Sequence, residues 1–216
     1  MKFLNRTIPR IESDKGFTLI EMAIVLIIIG IIIGAVVKGK DIIRSGDQKK
    51  IYSKFFNEWR ITYVNYYDRS GRILGDVSAP PDNQADGTSC ANLNDHTPVP
   101  ESPHYGLIQI GLTPPTTNST DTCTYRYTNS EGGSQDISIT FNYGADNNTS
   151  GSYNYMEISD IPLELAIAID RMVDGQADGS VGDFIRVNAT GSLKSWMLSG
   201  EKPTDTTSEA RWKMQF

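Results

Sequence analysis

The longest uninterrupted pattern in the chain is apolar. From Met22 to Val37 there is no polar side chain, and the run reaches back to Phe17 with only Thr18 and Glu21 interrupting it. As a helix, residues 17–37 span about 31 Å at 1.5 Å per residue, the thickness of a hydrocarbon core. The pattern then changes without losing its period. Ile51, Tyr52, Phe55, Phe56, Trp59, Tyr63, Tyr66 and Tyr67 recur at spacings that give one apolar face on a polar helix. Ser70-Gly71 is the expected end, because glycine takes the left-handed cap conformation without steric cost. The spacing predicts one helix over residues 17–70, about 80 Å long, with a membrane-spanning half (17–37) and an amphipathic half (38–70). The aromatic row reads as core packing, which is far commoner than a charge-conducting role.

Downstream, residues 71–103 are rich in turn formers, with Pro80-Pro81, Pro98 and Pro100, and read as a long loop pinned at Cys90. Asp136 to Tyr143 alternates polar and apolar without exception, the pattern of a half-buried antiparallel strand. Tyr105 to Leu112, Cys123 to Thr128 and Tyr153 to Ile158 are weaker strand candidates, joined by loops over 129–135 and 144–152. Together they suggest a meander covering the aromatic face of the helix. Pro162 to Val173 reads as a short helix capped by Asp160, with Leu165, Ile169 and Met172 on one side. Phe184 to Asn188 and Leu193 to Leu198 are further strand candidates. The expected fold class is α+β: a long N-terminal helix, transmembrane in its first half, packed on an antiparallel sheet.

Glu21 breaks the apolar pattern where an unpaired charge is costly. The nearest basic side chains are Lys15 before the span and Lys38 after it. Cutting the chain after Gly16 would create an α-ammonium on Phe17, one helical turn from Glu21. In an assembly the carboxylate could instead meet the ammonium of a neighbouring copy. The small-residue cleavage site of a secretory signal peptide is absent, and no cysteine follows closely enough to mark a lipoprotein.

The stretch Lys15-Gly16-Phe17-Thr18-Leu19-Ile20-Glu21, followed by the apolar run, resembles the type IV prepilin family and the pseudopilins of type II secretion position by position. The resemblance implies a membrane aspartyl peptidase that cuts between Gly16 and Phe17, methylation of the Phe17 amine, and a role for Glu21 in subunit docking. It implies a leader (1–16) that stays cytoplasmic and an exported pilin-like domain over 71–216. The implied partners are the prepilin peptidase/methyltransferase, identical or related pilin subunits and the inner membrane. The implied location is a single-pass inner-membrane state followed by an extracellular pilus or a periplasmic pseudopilus. Charge does not choose the orientation, since Lys38, Lys40, Arg44, Lys49 and Lys50 follow the span as densely as bases precede it. Orientation is taken from the family and the cysteines. Family members often carry a proline late in the apolar helix. Here the first proline after the span is Pro80, and Gly30 and Gly34 could serve instead. Their GxxxG spacing equally suits close helix packing or the ordinary glycine tolerance of membrane helices.

Charge removes one class of function. The first 16 residues hold four bases and two acids, which leaves 16 bases against 24 acids in the remainder, a net −8. An acidic body disfavours nucleic acid as a partner. Cys90 and Cys123 sit in polar surroundings with no CxxC or Cys/His spacing, so metal or redox chemistry is not indicated. An even count beyond a membrane segment points to one disulfide formed in an oxidising compartment, with two free thiols as the alternative. Asp174, Asp178, Ser180 and Asp183 lie on a glycine-rich stretch that departs from the EF-hand template at Gln176 and Ile185. Some pseudopilins bind calcium in a C-terminal loop, and dense carboxylates suit such a cation. The same residues equally build a helix cap and tight turns. His96 and His104 fall in proline-rich loop, and no GxSxG, HExxH or P-loop accompanies them. No cofactor other than calcium is indicated, and an enzyme is not expected. The favoured reading is a structural filament subunit. The alternatives are a tip-located minor pilin that contacts a surface or secreted cargo, or a type II secretion pseudopilin.

Overall fold

A computed structural model describes residues 16–145, 151–188, 192–196, 202–203 and 206–215. Contacts divide the chain into two units, residues 1–43 and 44–216. Helix α1 (Leu19–Ile51) begins in the first unit, where every described side chain from residue 16 to 38 is exposed. A π-helical turn (Tyr52–Phe56) leads into α2 (Asn57–Ser70). The end falls where the sequence placed it: Gly71 has φ 70°, and its amide donates to the Tyr67 carbonyl at 2.8 Å. The π-turn accommodates one more residue than an α-turn. Phe55 and Phe56, adjacent in sequence, are thereby both buried with Ile51, Trp59, Tyr63 and Tyr66.

Six strands form one antiparallel sheet in the order β1 (Thr124–Thr128), β2 (Ser134–Ala145), β3 (Ser152–Pro162), β6 (Thr207–Lys213), β4 (Phe184–Val187), β5 (Leu193–Lys194). The alternation over Asp136–Tyr143 works as expected, and Ile137, Ile139 and Phe141 are buried. Phe141 lies 5.9 Å from the ring of Trp59 and 5.4 Å from that of Tyr63, while Phe55 meets Tyr125 at 5.3 Å. The sheet therefore packs on the aromatic face of the second half of the helical run. Helix α4 (Leu163–Val173) follows β3 directly and buries Leu165, Ala166 and Ile169.

Several expectations need correction. Tyr105 to Leu112 forms turns, not a strand: the amides of Leu107 and Ile108 donate to Leu93 and Asn94, at the end of helix α3 (Cys90–Asn94). Within that stretch Leu107 is buried while Tyr105 and Ile108 are exposed, so no alternating face exists to place on a sheet. Helix α3 itself lies inside the supposed loop. Asp160 does not cap α4: it has φ 59° beside the irregularity in β3 between Ile158 and Ile161, and Pro162 occupies the cap position. β5 is shorter than Leu193 to Leu198, of which residues 197–198 lie outside the described set, as do residues 146–150 of the loop over 144–152. Strand β6, central in the sheet, had no counterpart in the sequence reading.

The stretch after Gly71 is anchored at many points. Buried Asp76 pairs with Arg72 and accepts the amides of Ser78 and Asn83. Asn154, 3% exposed, accepts the Ala85 amide at 2.9 Å and donates to the Asn83 carbonyl at 3.0 Å.

Candidate functional site

Glu21 occupies the first turn of α1, and Thr18 stands immediately before it. The Glu21 carboxylate accepts the Thr18 amide at 2.7 Å and the Thr18 hydroxyl at 2.7 Å, while the Glu21 amide donates back to Thr18 Oγ1 at 3.3 Å. This is the reciprocal arrangement of a capping box, which satisfies amides that helix starts leave unpaired. The sequence argument placed Glu21 in want of a cation. The structure gives it local donors, and the Thr18-x-x-Glu21 spacing was the signal that could have shown it. Gly16 and Phe17 precede the helix and are exposed. From Leu19 onward the helix is long and apolar enough to cross a membrane.

Arg44, in the second unit, pairs with Glu164 at the start of α4. The Glu164 side chain is 2% exposed, and it also accepts Tyr127 Oη at 2.8 Å and Ser130 Oγ at 3.0 Å. Burial and this carboxylate push the Tyr127 phenol up to about 12. A buried carboxylate with a guanidinium and two hydroxyl partners is well satisfied, and it ties α1, the β1–β2 turn and α4 together.

Cys90 and Cys123 are joined, with Cα atoms 5.8 Å apart, in the range a disulfide requires. The bond fixes the start of α3 to the residue before β1. Ser89 caps α3 by accepting the Asn92 amide. The Asp121 carboxylate lies beside the bridge. Sulfurs already joined to each other are poor metal ligands, so the cluster is structural.

In the Asp-Gly loop, Asp174 accepts the amides of Asp183, at 3.1 Å, and Phe184, at 2.9 Å. A side chain at Gly182, where φ is 108°, would come within 2.4 Å of Asp174 Oδ2. Asp178 accepts the amide and hydroxyl of Ser180 at 3.1 and 2.7 Å. Gly179 packs against Trp196 and Arg186, and its carbonyl accepts the Arg186 amide at 2.7 Å. Fully buried Asp170 accepts Trp196 Nε1 at 2.6 Å, and burial raises its carboxyl to about 6. Among the described residues, Asp174, Asp178 and Asp183 do not gather their oxygens into one cluster.

The two histidines, far from catalytic partners in sequence, stack on each other at 4.0 Å with 4° between their planes. Ser102 joins them: His96 Nε2 meets its carbonyl at 3.1 Å and His104 Nδ1 its hydroxyl at 3.0 Å. Burial, with His96 and Arg72 nearby, lowers His104 to about 4.

No curated protein and no solved structure is significantly similar to the chain. Residues 13–37 match the family model described as the prokaryotic N-terminal methylation motif. Residues 13–37 therefore carry the prepilin-type motif of type IV pilins and pseudopilins, and the apolar helix, the α+β domain and the disulfide are compatible with such a protein.

Proposed function

We propose that this protein is a filament subunit of a type IV pilus or a related pseudopilus, cut between Gly16 and Phe17, methylated at Phe17, and assembled through its N-terminal helix. The observation that carries the reading is the motif match over residues 13–37. The exposed apolar surface from Leu19 to Val37 supports it, because an all-round apolar helix needs a bilayer or other helices about it. Before cleavage Thr18 supplies the donors of Glu21. After cleavage the Phe17 ammonium of the same or a neighbouring copy competes for that carboxylate, and pairing with a neighbour sets the register of docking. The protein sits in the inner membrane with its leader in the cytoplasm and passes from there into the filament.

Intact-mass analysis of protein extracted from membranes tests the processing step. The expected mass is that of a chain beginning at Phe17 with one added methyl group. A mature N-terminus elsewhere, with no methylated Phe17, would overturn the reading.

A further inference from the structure

Strand β1 is an edge of the sheet, and edges present unpaired main-chain groups on which another strand can add. With β1 paired to β2 through Tyr125 and Tyr127 on one side, Thr124 and Arg126 direct their amides and carbonyls outward. All four of these outward groups are occupied by the chain just upstream. The Arg126 amide donates to Asn118 Oδ1 at 2.8 Å, and the Arg126 carbonyl accepts Asn118 Nδ2 at 2.8 Å. The Thr124 amide donates to the Asp121 carbonyl at 3.0 Å, and the Thr124 carbonyl accepts the Thr117 hydroxyl. The side-chain amide of Asn118 thus reproduces the donor and acceptor pair of a neighbouring strand.

We infer that residues 117–121 form a strap that closes the β1 edge against pairing with β1 of a second copy. The strap is itself anchored at both ends of its turn. Thr117 Oγ1 accepts the Ser119 amide at 3.2 Å, and Asp121 accepts the amide of Cys123, whose sulfur is bonded to Cys90. At the opposite edge, β5 is two residues long and offers little to pair with. Beyond the reach of β1, the same side of β2 is covered by the Asp86–Asn142 bridge and by the Gly87 amide on the Phe141 carbonyl. The partner excluded by the strap is a second copy of this chain joined strand to strand, which leaves the helix as the element through which copies associate. This inference does not rest on the filament reading, since it concerns the sheet alone.

Asn118 is exposed, so its replacement leaves the core intact. The test uses the full chain in detergent micelles, with circular dichroism confirming the fold of each variant. Asn118→Ala is expected to speed hydrogen exchange of the Arg126 amide by about tenfold, the worth of one hydrogen bond. It is also expected to add a concentration-dependent dimer in sedimentation that wild type does not show. The double variant Asn118→Ala/Arg126→Pro removes the outward amide that a pairing strand would need, and proline is tolerated on edge strands. It is expected to return the wild-type sedimentation pattern. An Asn118→Ala protein that sediments like wild type, or a dimer that persists in the double variant, would overturn the inference.

Discussion

Residues 19–43 and 51–70 belong to one helical run, yet their side chains meet opposite conditions. In the first stretch Leu19, Ile20, Leu26, Ile31 and Val37 are all exposed. In the second, Phe55, Phe56, Trp59, Tyr63 and Tyr66 are fully buried against the sheet. Apolar content does not explain the contrast, because the exposed stretch is the more apolar of the two. Its distribution does. A single aromatic stripe fits one sheet and leaves the other helix face to water, whereas a segment apolar on every side cannot be satisfied by any one surface. One half of the run has its partners within its own chain, and the other half, among the described residues, has its apolar side chains exposed.

The sharpest way to break that comparison is Glu21→Ala. If residues 17–43 need only an apolar medium, removing the carboxylate changes nothing or improves insertion. If they need a specific neighbour, membrane abundance and cleavage stay normal while the subunit recovered in sheared filaments falls by about tenfold or more, because the Phe17 ammonium is left without its partner. Equal incorporation of variant and wild type would refute the docking role. A smaller effect is expected on the self-sufficient side. Replacing Cys90 and Cys123 with alanine should lower the stability of the domain by about 3 to 4 kcal/mol, seen as a lower urea midpoint with a somewhat steeper slope, because the unlinked denatured chain exposes more surface. Insertion of the span should not respond. An unchanged midpoint would mean that the other anchors of the loop suffice without the bridge.

The smallest effect concerns His104. Burial depresses its folded pKa to about 4 from the ordinary histidine value of 6.5, so the neutral ring contributes stability that is present in full above about pH 6.5 and lost as pH falls towards 4. A thermal midpoint recorded across this window should decline on the acid side in wild type and decline less in His104→Gln. Identical slopes would show that the stacked pair does not couple protonation to folding.

Elements set by local chemistry were legible in the sequence. The prepilin-type stretch, the helix end at Gly71, the alternation in β2 and the run of α4 each depend on residues within one or two turns of each other. Strand β6 is equally local, since Ala210, Trp212 and Met214 alternate with Glu209, Arg211 and Lys213. Tyr105 to Leu112 misled because its composition suits a strand while its main-chain partners lie in α3. Gly106 approaches so closely that a side chain there would stand 2.4 Å from the main-chain nitrogen of His96. The Glu164 cluster was out of reach, because Arg44 and Tyr127 stand 120 and 37 residues from it. No periodicity reports a pairing of that kind. At the N-terminus Glu21 is legible as the break in the apolar pattern, whereas its donor Thr18 is legible only from the spacing of a capping box, with Glu21 as the third residue of the helix.

The π-turn at Tyr52–Phe56 carries a consequence for how the chain tolerates changes in length. Each residue advances an α-helix by about 100°, so a deletion between Asn57 and Tyr66 would put the aromatic residues on its two sides out of phase and swing part of the stripe away from the sheet. A deletion inside the turn has a different outcome. Loss of exposed Ser53 or Lys54 can convert the π-turn to an α-turn while the segments on either side keep their phase. The turn is thus the one place in the buried half where the helix can be shortened by a residue without losing its face.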